Sequence, residues 1–158
     1  MEERVSSLML IHNATLWDGT GAAARRHTSL RIEGDRLAWI GPDAQAPAGE
    51  SGEPVVDAGG RHVLPGLVDL HVHLTADTAQ PDFVRYFLTT SIAEQTLVGA
   101  QHSRLMLEAG FTATRDLGAV GFANVALKRA IDAGRIPGPR VAACGSFLTV
   151  PGGHGDNT

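Results

Sequence analysis

Hydrophobic and polar residues alternate over short stretches in the first 64 positions, which predicts β-strands rather than helices. The predicted strands there are residues 8–16, 29–33, 36–40, 54–57 and 62–64. Gly34-Asp35 and the segment 58–61 predict two hairpin turns, whereas residues 42–52, rich in Pro, Ala and Gly, predict a loop. Because strands this short cannot bury a large core by themselves, the segment is either a small β module or part of a larger β-domain.

From residue 65 onward the pattern changes to strands separated by helical segments. We expect strands at 65–74, 111–115 and 140–144 and helices at 82–88, 91–109 and 122–133. Ser91 is a good helix cap, and Gly110 and Gly134 each follow a helix, where glycine is favoured because the backbone becomes left-handed. Strands that alternate with helices predict parallel strands joined by right-handed crossovers, and therefore an α/β fold.

The first of these strands ends in two histidines, His71 and His73. Side chains alternate between faces along a strand. One face then carries Leu67, Asp69, His71 and His73, and the other carries Val68, Leu70, Val72 and Leu74. We expect the apolar face to pack against helices and both imidazoles to point into one cavity, as two ligands of a single metal ion must. The spacing alone is a weak motif, and the alternative is a pair of structural histidines at a strand end.

Four further residues are candidates for roles near this strand end. Asp69 shares the face of the histidines and is either the acceptor of a hydrogen bond from a metal-bound imidazole or an ordinary polar side chain. Arg115 and Asp116 end the second strand and are either site residues or structural groups. His154 lies in the glycine-rich segment 152–156 and is either a substrate-binding or transition-state-stabilising group or a loop histidine without function. The segment is a weak match to a phosphate-binding loop, because no helix signature follows it.

Composition and charge exclude several classes of function. The 158 residues are 43% hydrophobic and 19% charged, as in a globular protein, and the net charge of −4 provides no basic surface for nucleic acid or acidic membranes. Arg25-Arg26-His27 is expected to be a solvated loop, and no apolar run approaches the roughly 18 residues of a membrane span. The acidic start does not suit a signal peptide and Cys144 has no disulfide partner, so we expect a cytoplasmic protein with Cys144 as a small buried hydrophobe.

Several motifs together resemble one branch of the amidohydrolase superfamily. They are the run from Pro65-Gly66 to His73, residues 88–91 (Leu-Thr-Thr-Ser), 108–118 (Glu-Ala-Gly-Phe-Thr-Ala-Thr-Arg-Asp-Leu-Gly), 135–141 (Arg-Ile-Pro-Gly-Pro-Arg-Val) and 152–155 (Gly-Gly-His-Gly). That branch contains the imidazolonepropionase-like metal-dependent hydrolases and the Xaa-Pro, Xaa-Arg or Xaa-Lys dipeptidases. Ala113 departs from the pattern of the branch, which commonly has a second threonine there.

The resemblance implies a TIM (β/α)8 barrel preceded by strands of a small β-sandwich. Residues 65–158 would be the first three β/α units of the barrel, and residues 1–64 would be the N-terminal part of a sandwich built from both ends of the chain. A complete barrel needs roughly 250 residues. We therefore expect the chain to be the N-terminal portion of a longer enzyme and to be inactive by itself.

By the same resemblance, the whole protein is expected to hydrolyse an amide or peptide C–N bond of a small-molecule substrate with metal-activated water. His71 and His73 would bind the more buried of one or two divalent ions, with zinc the expected metal. A carboxylated lysine, two further histidines and the general-base aspartate would come from later strands, so no catalytic residue is assigned within this chain. The alternatives are a cyclic-amide hydrolase, a deaminase of the same superfamily, or a truncated chain without activity. We expect no nucleic-acid or membrane partner, and a homo-oligomeric whole protein is compatible with this assignment.

Overall fold

The chain divides after Pro65 into two units, residues 1–65 and 66–158. The computed structural model describes residues 8–49, 52–153 and 155–156, with the side chain of Phe83 outside the description. In these ranges no helix combines the length and apolarity that a membrane crossing requires. Each unit contains its own sheet.

The first unit contains a five-stranded sheet. Its strands are β1 (Leu8–Leu16), β2 (Arg25–Glu33), β3 (Arg36–Pro42), β4 (Val55–Asp57) and β5 (His62–Val63), in the order β3-β2-β1-β4 with β5 also paired to β1. Glu33 pairs with Arg36 across the turn at Gly34-Asp35, where Gly34 has a φ of +62° that favours glycine. The first predicted hairpin is therefore confirmed. A short 3-10 helix, Asp43–Gln45, interrupts the predicted loop.

The second predicted hairpin is wrong, because β4 and β5 do not pair with each other. Both run parallel to β1, with Val55 opposite Leu10 and His62 opposite Thr15. Between them the backbone of the predicted turn continues along the same edge of β1, where the Gly60 N–H donates to the Asn13 carbonyl at 2.7 Å. The Gly59-Gly60 pair has φ values of +58° and +77°, so it offsets the chain locally instead of reversing it.

The core of the first unit is made of aliphatic side chains from the strands around β1. It contains Ala14, Leu16, Leu30 and Ala58, with Ile11 and Val63 packed against them. The prediction of a loop at Arg25-Arg26-His27 is wrong, since these exposed residues begin β2. They are part of the strand because Arg25 pairs with Leu16 at the end of β1, which extends the antiparallel ladder.

The second unit alternates strands and helices. Its elements are β6 (Leu67–Val72), α1 (Phe83–Thr89), α2 (Ile92–Glu108), β7 (Phe111–Asp116), a 3-10 turn (Val120–Phe122), α3 (Ala123–Asp132) and β8 (Arg140–Ala143). The strands form a parallel sheet in the order β6-β7-β8. The predicted α/β pattern is confirmed in this unit.

Local signals in the sequence set the helix boundaries. The Asp82 carboxylate caps α1 by accepting a hydrogen bond from the Arg85 N–H at 2.9 Å. α2 begins with a capping box in which the Ser91 hydroxyl accepts from the Glu94 N–H and the Glu94 carboxylate accepts from the Ser91 N–H. Each boundary follows from hydrogen-bonding groups that the first turn of a helix leaves unpaired.

Helices α2 and α3 pack on one face of the parallel sheet. Their shared core contains Leu74, Leu127 and Val141, with Val72, Ala100, Met106, Ile131, Ile136 and Ala143 packed against it. The predicted apolar face of β6 is only partly confirmed, because Val68 and Leu70 are 57% and 59% exposed. β6 lies at the edge of the described sheet, and its pairing with β7 is irregular between Asp69 and Val72. The regular alternation of faces that the prediction assumed is therefore interrupted within the strand.

Candidate metal centre

The imidazoles of His71 and His73 are neighbours at the C-terminal end of β6. His71 lies in the strand and His73 directly follows its last residue, Val72. The two ring centroids are 5.6 Å apart, with the rings edge to face at 77°. His71 is exposed and His73 is half-buried. Two imidazoles thus present nitrogen donors at one place on the surface of the second unit.

His73 is held from two sides. Its Nδ1 lies 3.1 Å from the Gly118 carbonyl oxygen, in the loop that follows β7. Its ring centroid is 5.3 Å from that of Phe147, which follows β8. A carbonyl partner for one ring nitrogen, with the other nitrogen available, is the arrangement found for histidines that bind metals.

The carboxylate of Asp116 is fully buried and connects three loops. Its Oδ2 accepts from the Leu74 N–H at 2.9 Å, and its Oδ1 accepts from the Gly118 N–H at 3.0 Å and from Asn124 Nδ2 at 2.8 Å. Asn124 Nδ2 also donates to the Gly145 carbonyl at 3.0 Å. Asp116 therefore links the segment after β6 to the segment after β7. Asn124 links both of them to the segment after β8.

Asp69 and Arg115 contact the backbone of β6. Asp69 Oδ1 accepts from the backbone N–H of His71 at 3.0 Å, and Arg115 Nε donates to the Leu70 carbonyl at 2.7 Å. Both hydrogen bonds hold the segment that carries the histidines. Arg115 is exposed, whereas Asp116 is buried towards the helices, so the structure places these two consecutive residues in different surroundings.

The predicted site residue His154 lies outside the described residues. Around it, the Gly152 N–H donates to Asp156 Oδ2 at 2.7 Å and the Gly153 N–H donates to the Val150 carbonyl at 2.8 Å. The glycine-rich segment is therefore held by bonds within itself where it is described.

Two residues of the site were not found by sequence reasoning. Gly118 and Asn124 both bond to Asp116. Gly118 ends the motif 108–118 and Asn124 lies in the predicted helix 122–133, but neither is predicted as a site residue. The sequence does show an asparagine in the first turn of a predicted helix, eight residues after an aspartate that ends a strand. That asparagine is a candidate hydrogen-bond donor, but its partner cannot be inferred without the fold.

Cys144 is exposed, contrary to prediction, because it follows the end of β8 instead of lying inside the strand.

Over the described ranges, no group of three or more His, Cys, Asp and Glu side chains gathers in a way that could hold a metal ion. A catalytic zinc site generally has three protein ligands and an open position. His71 and His73 are thus part of a ligand set at most.

Comparison with known proteins gives a matching family and similar sequences. The model of the amidohydrolase family matches residues 62–157. Imidazolonepropionase of Arthrobacter sp. (strain FB24) is 51% identical over 49 residues, which are 31% of this chain and 12% of that protein. Imidazolonepropionase of Cereibacter sphaeroides (strain KD131 / KCTC 12085) is 38% identical over 96 residues, which are 58% of this chain and 23% of that protein.

Solved structures match nearly the whole chain. A Xaa-Pro dipeptidase with methionine bound in its active site has a TM-score of 0.81 and 30% identity, covering 95% of this chain and 36% of that one. Phenylurea hydrolase B has a TM-score of 0.76 and 32% identity, covering 91% of this chain and 32% of that one. The chain thus spans about a third of these structures and less of the imidazolonepropionases. Because the family match covers more than half of the chain and includes both neighbouring histidines, the chain belongs to the amidohydrolase family.

Proposed function

We propose that the whole protein containing these residues is a metal-dependent hydrolase that cleaves an amide or peptide C–N bond of a small molecule. The observation that carries the proposal is the pair of imidazoles 5.6 Å apart at the end of a parallel strand. In parallel α/β folds, groups at the C-terminal ends of the strands come together in one site. The family match and the structural neighbours, which include a dipeptidase, support hydrolytic chemistry.

The residues fit a divalent metal by their chemistry. Neutral imidazole nitrogen is a good ligand for zinc, and the Gly118 carbonyl occupies Nδ1 of His73, so that Nε2 is available. His71 and His73 would hold one zinc ion, or the more buried of two, with the remaining ligands coming from beyond residue 158. Such an ion supplies a water that is nucleophilic at neutral pH and a Lewis acid for the substrate carbonyl.

The other site residues would position these ligands or meet the substrate. Asp69 and Arg115 hold the backbone of β6 at the histidines. His154 would contact the substrate from the loop after β8, and a general-base aspartate would come from beyond residue 158. In the same proposal, residues 65–158 are the first three units of a (β/α)8 barrel and residues 1–64 are part of a small β-sandwich. The parallel order β6-β7-β8 with helices on one face supports this arrangement.

A dipeptide is the proposed substrate class, supported by the likeness to the Xaa-Pro dipeptidase across 95% of the chain. The second candidate is a cyclic amide, favoured by the sequence identity to imidazolonepropionases. A deaminase of the same superfamily would use the same strand end. The three reactions differ in their products, which are two amino acids, an opened ring, or ammonia.

The test is to assay the whole protein against Xaa-Pro, Xaa-Arg and Xaa-Lys dipeptides, cyclic amides and amino-substituted heterocycles. We expect cleavage of dipeptides that is lost on chelation and restored by zinc. Ring opening without dipeptide cleavage would show that the substrate is a cyclic amide, and ammonia release without dipeptide cleavage would show that the protein is a deaminase. Turnover that survives complete removal of metal would contradict metal dependence.

A further inference from the structure

We infer that Asp116 is a positioning residue that, through the Gly118 carbonyl, fixes the ring proton of His73 on Nδ1 and so directs Nε2 to the metal. The part of this inference that concerns the metal rests on the proposed function. The part that concerns the ring proton rests on the contacts described above. Asp116 itself lies behind the histidines and touches neither imidazole in these contacts.

One carboxylate holds both sides of the contact between His73 and Gly118. Asp116 Oδ2 accepts from the N–H of Leu74, the residue next to His73, at 2.9 Å. Asp116 Oδ1 accepts from the N–H of Gly118, whose own carbonyl faces His73 Nδ1 at 3.1 Å. A shift of the carboxylate would therefore move the ring and its carbonyl partner relative to each other.

Gly118 is packed closely against the ring of Phe147. Its φ of +149° lies in the region that favours glycine, and a Cβ there would meet Phe147 Cδ1 at 2.4 Å. The Phe147 ring in turn packs beside His73, at 5.3 Å between ring centroids. Gly118, Phe147 and His73 thus pack against one another, and Asp116 holds the backbone N–H groups of Gly118 and of Leu74, the residue after His73.

Asn124 orients the carboxylate. Its Nδ2 lies 2.8 Å from Asp116 Oδ1 and 3.0 Å from the Gly145 carbonyl, which also accepts from the Ala119 N–H at 3.0 Å. All these groups are buried, and buried hydrogen-bonded groups with several partners keep their geometry because leaving any partner unpaired costs free energy. The first turn of α3 is thereby tied to the loop that carries Gly118.

The ring proton follows from the chemistry of the contact. A carbonyl oxygen only accepts hydrogen bonds, so Nδ1 must be the donor at this distance. The second nitrogen of a neutral imidazole then carries the lone pair that a metal needs. Among the described residues, the Gly118 carbonyl is the hydrogen-bond acceptor that favours this tautomer.

The test compares the whole protein with its Asp116→Asn variant. The matched control is Asp132→Asn, the same substitution at an exposed aspartate. An amide offers one acceptor oxygen where the carboxylate offers two, so at least one of the Leu74, Gly118 and Asn124 donors faces an NH2 group. The ring nitrogens of His73 are observed by 15N NMR in metal-free protein at about pH 8.5, where histidine is ordinarily neutral. His73 signals are identified by their loss in His73→Gln. Zinc affinity is measured by competition with a chromophoric chelator.

We expect Asp116→Asn to place a substantial fraction of the His73 proton on Nε2 and to weaken zinc binding by about 10- to 100-fold, with Asp132→Asn unchanged. A folded Asp116→Asn protein with the parent tautomer, or with zinc affinity within about 3-fold of the parent, would overturn the inference. If that variant does not fold, Gly118→Ala is judged by the same two criteria, since it displaces the carbonyl and keeps the carboxylate. Failure of both to fold would show that this group serves folding and would also overturn the inference.

The same experiment separates the inference from the proposed function. If His73→Gln leaves zinc affinity unchanged, the metal-ligand proposal fails. The tautomer shift in metal-free protein would then still establish how Asp116 acts on the ring.

Discussion

His71 and His73 are the residues whose substitution should affect activity most. Replacing either with Ala in the whole protein removes one metal ligand, and metal activation of water is a dominant contribution to hydrolysis. We expect kcat/KM for the substrate to fall on the order of 100-fold or more, together with a loss of bound metal. The control is His12→Ala, a histidine of β1 in the first unit, which should stay within about 2-fold of the parent. Variants at His71 or His73 with near-parent activity and full metal content would contradict the assignment.

For single residues, the sequence predicts a position in the site where the spacing along a strand decides it. The proximity of His71 and His73 is predicted from their spacing of two residues at the end of a strand, whereas the irregular pairing between Asp69 and Val72 is not. The role of Asp116 does not follow, because its donors are Leu74, 42 positions earlier, and Asn124 in the next helix. Whether Asp116 is a site residue or a structural group depends on which loops meet around it, and that is set by the fold.

The start of helix α2 provides a test at the scale of a single element. Hydrogen bonds from the Ser91 hydroxyl and then from the Ser91 N–H hold the pKa of Glu94 below its ordinary value. A carboxyl whose pKa is lower in the folded state stabilises the fold above its unfolded pKa, and this contribution is lost as pH falls through the folded value. Loss of the capping hydroxyl in Ser91→Ala should cost about 1 kcal/mol near neutral pH. The cost should be smaller in acid, where the Glu94 carboxylate takes up a proton, and chemical denaturation measures both.

Glu94→Gln is the matched control for the capping box. It keeps the length of the side chain and leaves the Ser91 hydroxyl free to accept from the backbone N–H of residue 94, but it removes the titrating group. Its stability should lack the acid-dependent decrease that Ser91 and Glu94 produce together in the parent. An identical pH dependence in parent and Glu94→Gln would show that the capping box contributes nothing to acid sensitivity.

The contact between α2 and α3 depends on the absence of a side chain at Gly99. A Cβ there would meet Leu127 Cδ1 at 2.4 Å, and Leu127 is buried. Gly99→Ala gains about 1 kcal/mol of helix propensity, but overpacking typically costs about 1–3 kcal/mol, so we expect a net destabilisation. In a double-mutant cycle, Gly99→Ala combined with Leu127→Ala should be less destabilising than the sum of the single changes. Additive effects would mean that the two positions do not compete for the same space.

Element boundaries in the second unit could be predicted because caps and glycines mark them, as Ser91 and Gly110 do for α2. The β4 and β5 prediction failed because Gly59-Gly60 marks a change of direction without specifying the partner strand. Their actual partner, β1, is more than 40 positions away, and strand pairing at that distance has no local signal.

For the whole molecule, the exposed apolar residues and the edges of the parallel sheet lead to a prediction about residues 1–158 expressed alone. Leu67, Val68 and Leu70 of β6 are exposed, and β6 and β8 are the edge strands of the described sheet. Such surfaces favour association between chains. We expect the 158-residue chain to self-associate on size-exclusion chromatography, to retain no stoichiometric zinc after dialysis, and to cleave no dipeptide. A monomer with one metal per chain and dipeptidase activity would contradict this.

The central claim, that His71 and His73 bind the metal of a hydrolase, is tested most directly by anomalous diffraction at the zinc edge from crystals of the whole protein grown with zinc. The account predicts an anomalous peak about 2.0–2.1 Å from a nitrogen of each imidazole, with His73 bound through Nε2. An anomalous peak located elsewhere would contradict the claim. So would imidazoles of His71 and His73 that contact only protein atoms in crystals at full zinc occupancy.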